Sequence, residues 1–150
     1  MRSAMSHHPN AYTPRHNQAA TQPSLASMGM SFVNEVNKGL VNEARRFIGT
    51  NPTGRRSLWC ARFMNFVLQR TGHKGTGSDM ARSFASDGHR VGGPRVGAIA
   101  VMARGRSGGH VGVVSGIDKN GNPIIISGNH GHRVAESKYS RSRIFAYVMP

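Results

Sequence analysis

The chain has 150 residues, with 20 Lys and Arg against 6 Asp and Glu, which gives a formal net charge of +14. This length fits one domain that needs no metal or disulfide to fold. No apolar run approaches the roughly 18 residues of a membrane span, and the single Cys excludes both an intrachain disulfide framework and a multi-cysteine zinc site. The charge by itself also fits a protein that binds nucleic acid.

Residues 1–31 differ in composition from the rest of the chain. They contain three Pro, no acidic residue and only one branched aliphatic residue, Leu25. We therefore predict a disordered basic tail, followed by one folded domain over residues 32–150. The tail also lacks the apolar segment of a signal peptide, so the sequence does not show by which route the protein would be exported. Its only charged residues are Arg2 and Arg15, so most of the positive charge belongs to the folded domain.

Helical periodicity marks three segments in the first half of the domain. Apolar residues recur at helical spacing over residues 32–48, where Ser31 can cap the helix and Gly49 ends it. A second helix is predicted over residues 58–72, and a short third helix over residues 79–86.

From Pro94 onward the pattern changes to strands that are separated by turn residues. Five strands are predicted, at residues 98–104, 110–117, 123–128, 133–139 and 143–149. Helices followed by an antiparallel meander indicate an α+β fold.

The lone thiol, Cys60, lies where a polar turn becomes the second predicted helix. Unpaired backbone N–H groups and the helix dipole favour a thiolate at this position. The nearby Arg55, Arg56 and Arg62 act in the same direction. We therefore predict a lowered thiol pKa and a nucleophilic role. The alternative is a buried structural cysteine, since free Cys is among the most buried residue types.

The hairpin between the second and third predicted strands suggests a base for this thiol. His110 opens one strand directly after two glycines, although a surface histidine is the alternative. If Asn120 and Gly121 form a two-residue turn, Asn129 becomes a diagonal neighbour of His110 on the same face. Its amide oxygen can then orient the imidazole. A three- or five-residue loop would instead place His130 on that face.

Five separated motifs resemble the CHAP and NlpC-type cysteine amidases and peptidases, and within them a small bacterial subfamily. The motifs read LWCARFMNFVLQRTG, GTGSDMARSF, GGHVGVVSGID, ISGNHG and SRSRIFAYVMP. The resemblance implies a papain-like fold, in which N-terminal helices pack on an antiparallel sheet of about five to six strands. It also implies peptidoglycan hydrolysis without metal or cofactor. The bond is either the N-acetylmuramoyl–L-alanine amide or one within the stem and cross-bridge peptides.

By this resemblance Cys60 is the nucleophile and His110 is the general base and acid. Asn129 matches the residue that orients His110, with His130 as the alternative. The backbone N–H of Cys60 would stabilise the oxyanion.

Three further residues are expected to line the substrate cleft, namely Trp59, Arg82 and Ser83. For the last two, the alternative is that the segment from Ser78 to Ser83 only caps and packs a helix.

We expect a monomer whose partner is peptidoglycan, an anionic polymer, with no specific nucleic acid and no membrane span. It would act in the bacterial periplasm, in the cell envelope or outside the cell. One alternative is a non-catalytic basic module that binds nucleic acid or another anionic polymer. Scattered Arg residues and an aromatic content of 7% argue against it. A second alternative is a thiol protease or effector that acts on protein.

Overall fold

A computed structural model describes residues 38–106 and 108–150. The predicted tail at residues 1–31 and the first part of the first predicted helix lie outside these residues. Residues 38–45 form the described part of that helix, α1, and bury Leu40 and Ala44 in the core.

The elements after α1 are α2 (Cys60–Arg70), a 3₁₀ helix (Ala81–Ser86), β1 (His89–Val91), β2 (Ile99–Arg104), β3 (Gly108–Ile117), β4 (Pro123–His130), β5 (Arg133–Lys138), a second 3₁₀ helix (Arg141–Arg143) and β6 (Ile144–Met149). In the described part of the chain, these six strands form one antiparallel sheet in the order β1-β6-β2-β3-β4-β5. The predicted α+β class is confirmed. The third predicted helix is a 3₁₀ helix, and β1 is a strand that the sequence did not predict.

The sheet is covered on both faces, as the alternation of side chains along β2 shows. Ile99 and Val101 belong to the apolar cluster that includes α2. Ala100 and Met102 belong to a second cluster around Tyr139.

Contact between α2 and β4 holds the start of the helix close to the sheet. Trp59 and Phe63 are fully buried, with an edge-to-face ring contact at 6.5 Å between centroids. A Cβ at Gly128 would lie 2.7 Å from Cβ of Phe63 and 2.8 Å from the ring of Trp59. A side chain at this position of β4 would push the helix away from the sheet. Gly128 therefore sets how closely Cys60, the first residue of α2, approaches the strands.

The β3–β4 hairpin has a three-residue loop, not the predicted two-residue turn. The N–H of Asp118 donates to the carbonyl of Asn122 at 2.9 Å, and the N–H of Gly121 donates to the carbonyl of Asp118 at 3.0 Å. Gly121 has φ +85°, the left-handed conformation that closes loops of this length. By itself, this loop would have placed His130 on the face of His110.

A bulge in β3 changes the pairing again. The register shifts at Ser115, so that Gly112 pairs with Ser127. The two-residue turn would have paired Gly112 with Asn129. The three-residue loop and the bulge each shift the register by one residue relative to the predicted hairpin. Together they shift it by two residues, so the same side chains remain on the same face of the sheet. The diagonal neighbour of His110 is therefore Ser127.

Candidate active site

Cys60 begins α2 and contacts the backbone of β3. Its Sγ lies 4.0 Å from the carbonyl oxygen of Gly109, and the N–H of Val111 is close enough to favour a thiolate. The side chain is only 6% exposed. The thiol therefore lies against the strand at the two residues that flank His110.

Burial raises the pKa of the Cys60 thiol, which corrects the lowered pKa predicted from the sequence. Nearby backbone N–H groups and the guanidinium of Arg104 favour the thiolate, but they do not offset the desolvation. Two of the arginines that were expected to lower the thiol pKa form ion pairs elsewhere. Arg55 and Arg62 lie 2.8 and 3.7 Å from the carboxylate of Asp79. The resting thiol is therefore protonated at neutral pH.

His110 is fully buried in β3, and its ring is held through one nitrogen. Nε2 lies 2.9 Å from Oγ of Ser127 and 3.5 Å from the hydroxyl of Tyr139. Nδ1 is buried and has no hydrogen-bond partner among the residues that the structure describes. When Nε2–H donates to Ser127, Nδ1 carries the free lone pair that can accept a proton.

Two hydroxyl groups connect His110 to His130. The Tyr139 hydroxyl lies 3.5 Å from Oγ of Ser127 and 2.8 Å from Nδ1 of His130. In one consistent set of donors, Nε2–H of His110 donates to Ser127, which donates to Tyr139. The Tyr139 hydroxyl then donates to His130. This arrangement leaves Nδ1 of His110 as the acceptor, and the hydrogen-bonded path from His130 to His110 runs through the two hydroxyls.

Asn129 lies in the wall of the Cys60 cleft and not against Nε2 of His110. Its backbone has φ +56°, at the point where β4 departs from regular pairing with β5. The structure therefore brings Ser127, which the sequence did not suggest, to the position predicted for Asn129.

A cleft of about 180 Å³ opens beside the thiol. It is lined by Leu58, Cys60, Asp79, Met80, Ala81, Arg82, Arg104, Gly108, Gly109 and Asn129.

Of the three residues expected at the cleft, only Arg82 lines it. Trp59 is 0% exposed and packs in the core instead, because Gly128 gives its ring room against β4. The Ser83 hydroxyl donates to the carbonyl of Met80 at 2.7 Å and lies 2.9 Å from Oγ1 of Thr76. Ser83 thus stabilises the start of the 3₁₀ helix, which was the alternative role.

The environment of His110 disfavours its charged form. Burial, together with the charges of Arg104, His130 and Arg143, lowers the pKa of His110 to about 3. The resting site therefore pairs a neutral thiol with a neutral imidazole.

Stability should depend on pH through His110. A histidine in the unfolded chain titrates near pH 6.5, so between about pH 6.5 and pH 3 the unfolded state binds one more proton. The free energy of unfolding should fall as pH decreases through this window, by up to about 1.4 kcal/mol per pH unit. We expect urea unfolding between pH 4 and pH 7 to show that the free energy of unfolding changes less steeply with pH in His110→Gln than in wild type. The exposed His89→Gln is the matched control, and an unchanged slope in His110→Gln would contradict the assignment.

Residues 38–106 and 108–150 contain no cluster of three or more His, Cys, Asp or Glu placed to hold a metal ion. None of their helices has the length and apolar character to cross a membrane.

A cysteine at the start of a helix, packed against an antiparallel sheet that carries a buried histidine, defines a papain-like α+β domain. Residues 51–129, just over half of the chain, match the family model of the CHAP domain, and the chain belongs to this family. The resemblance and the papain-like fold predicted from the motifs are thereby confirmed. No curated protein matches the chain. CHAP domains are typically amidases or peptidases that act on peptidoglycan.

Proposed function

We propose that this protein is a peptidoglycan hydrolase that cleaves an amide bond with Cys60 as the nucleophile. The observation that carries the proposal is the placement of the only thiol of the chain against Gly109 and Val111, the two residues that flank the buried His110. Nδ1 of His110 has no hydrogen-bond partner among the described residues. Membership of the CHAP family supports the substrate class. The direct test is hydrolysis of purified peptidoglycan by the wild-type protein and by the Cys60→Ser variant.

The first half of the proposed reaction forms a thioester. The thiol gives up its long contact with the Gly109 carbonyl and turns toward Nδ1 of His110. Because the thiol pKa is raised and the imidazole pKa is lowered, proton transfer to Nδ1 accompanies attack of Sγ on the amide carbonyl. The backbone N–H of Cys60 has no acceptor within α2 and stabilises the oxyanion.

The second half releases the products. Nδ1–H of His110 protonates the departing amine as the carbon–nitrogen bond breaks, which leaves the acyl group on Sγ. A water molecule then loses a proton to Nδ1 and attacks the thioester carbonyl, releasing a carboxylic acid and restoring the thiol. In both halves Nε2–H remains donated to the Ser127 hydroxyl, which keeps the ring in one orientation.

Ser127, rather than Asn129, is the residue that orients His110 in this proposal. Ser127→Ala should lower kcat about tenfold with little change in KM, because it removes a hydrogen bond that fixes the ring. Asn129→Ala should act mainly on KM, since Asn129 lines the cleft. Steady-state kinetics on a soluble peptidoglycan fragment separate the two effects. If Asn129→Ala lowers kcat strongly while Ser127→Ala does not, Asn129 is the orienting residue after all.

We further propose that the protein works as a monomer in the cell envelope, where peptidoglycan lies. The same thiol chemistry would also cleave a protein. Cleavage of a protein target, with peptidoglycan left intact, would favour the thiol protease or effector.

A further inference from the structure

We propose that Arg82 and Arg104 form a carboxylate-binding subsite in the Cys60 cleft, which directs cleavage to a peptide amide next to a free carboxylate. The inference rests on the proposed function, since it names the substrate class of the same site. A bond inside the peptide part of peptidoglycan would then be cleaved, in preference to the muramoyl amide.

Arg104 carries the first of the two charges of this subsite. It is the last residue of β2, is exposed and lines the cleft. Its charge acts on both Cys60 and His110. It forms no ion pair with any carboxylate among residues 38–106 and 108–150. A substrate carboxylate at this position would complete an ion pair and would also reduce the repulsion that opposes protonation of His110.

Arg82, on the first 3₁₀ helix, is the second arginine of the proposed subsite, and two contacts hold its side chain in place. Its Nε–H donates to the carbonyl of Gly108 at 3.3 Å, and its guanidinium lies 5.3 Å from the centre of the Phe145 ring. These contacts leave the terminal nitrogens available, and no described carboxylate pairs with them. A guanidinium fixed in this way matches the planar geometry of a carboxylate.

Asp79, the acidic residue of the cleft, forms ion pairs with Arg55 and Arg62. It therefore does not neutralise the positive charges of the proposed subsite. Two apolar side chains lie in the same cleft, Leu58 at 74% and Met80 at 63% exposure. Charge beside apolar surface suits a peptide of small apolar residues that carries a free carboxylate. Peptidoglycan stems have this chemistry, since a glutamate linked through its side chain keeps its α-carboxylate free.

Calorimetric binding to the Cys60→Ser variant tests the subsite without turnover. The probes are L-Ala–γ-D-Glu–L-Lys and the same peptide with the glutamate α-carboxylate converted to a carboxamide. The acid should bind at least about tenfold more tightly than the amide. Arg82→Gln and Arg104→Gln, each added to Cys60→Ser, should reduce that ratio toward one. Arg95→Gln, at an exposed arginine outside the cleft, is the matched control and should leave the ratio unchanged.

Equal binding of the two peptides, or no detectable binding of the acid, would overturn the subsite. Cleavage of peptidoglycan at the muramoyl amide alone would also overturn it, while leaving the proposed hydrolase function intact. Tight, arginine-dependent binding of the acid by a protein that cleaves no peptidoglycan would support the subsite and overturn the function.

Discussion

Replacing Cys60 by Ser is expected to reduce the rate of peptidoglycan hydrolysis by roughly 10³-fold or more. A serine hydroxyl is a much weaker nucleophile here, because its proton is harder to remove and the neutral His110 is a weak base. The chain has only one cysteine, so no other thiol can replace it. The rate is measured as the loss of turbidity of a suspension of purified peptidoglycan.

Serine is close in size to cysteine, so the variant should keep its fold, which circular dichroism can establish. Ser86→Ala, at an exposed position that ends the first 3₁₀ helix, is a suitable control and should retain the wild-type rate. Full activity in a natively folded Cys60→Ser protein would exclude thiol catalysis.

His110→Gln is expected to lower kcat by about 10²- to 10⁴-fold, the usual contribution of general acid–base catalysis. A glutamine amide can still hydrogen-bond to Ser127, whereas His110→Ala would leave the hydroxyl of a fully buried serine without its histidine partner. The loss in the glutamine variant therefore reports on proton transfer more than on folding. Initial rates on peptidoglycan and urea unfolding should be measured on the same samples.

His89→Gln, at an exposed histidine in β1, should leave kcat unchanged. A His110→Gln protein that retains more than half of the wild-type kcat would show that another group moves the proton.

The sequence predicted well where Cys60 lies in the fold, because the signals involved are local. Apolar periodicity and a preceding polar turn marked the start of α2, and Cys60 is its first residue. Alternating strands and Gly-rich turns likewise predicted five of the six strands. Strand β1 was missed because its three residues, two of them exposed, carry no apolar pattern.

The partner of His110 was not predictable from the sequence. It depends on a three-residue loop closed by Gly121 and on a bulge at Ser115, and only the loop has a local sequence signal. These shifts place Ser127 where the simplest turn would have placed Asn129. Tyr139, whose hydroxyl links His110 to His130, directly follows β5, and the sequence did not connect it with the site.

The predicted direction of the pKa shift of the Cys60 thiol was wrong for a similar reason. The sequence shows the basic neighbours of Cys60, but it does not show that Asp79 pairs with two of them. Nor does it show burial, which dominates the shift. Arg104 acts on the site from the end of β2 and is distant from Cys60 along the chain. Trp59 was expected in the cleft, but its ring is buried in the core, where Gly128 leaves room for it against β4.

The most direct test of thiol-dependent amide hydrolysis is mass spectrometry of the fragments that the full chain releases from purified peptidoglycan. We expect new amino and carboxyl termini at one peptide amide next to a free carboxylate, and no such fragments from the Cys60→Ser protein. Release of fragments cut only at glycosidic bonds, or the same amide fragments from Cys60→Ser, would contradict catalysis by this thiol.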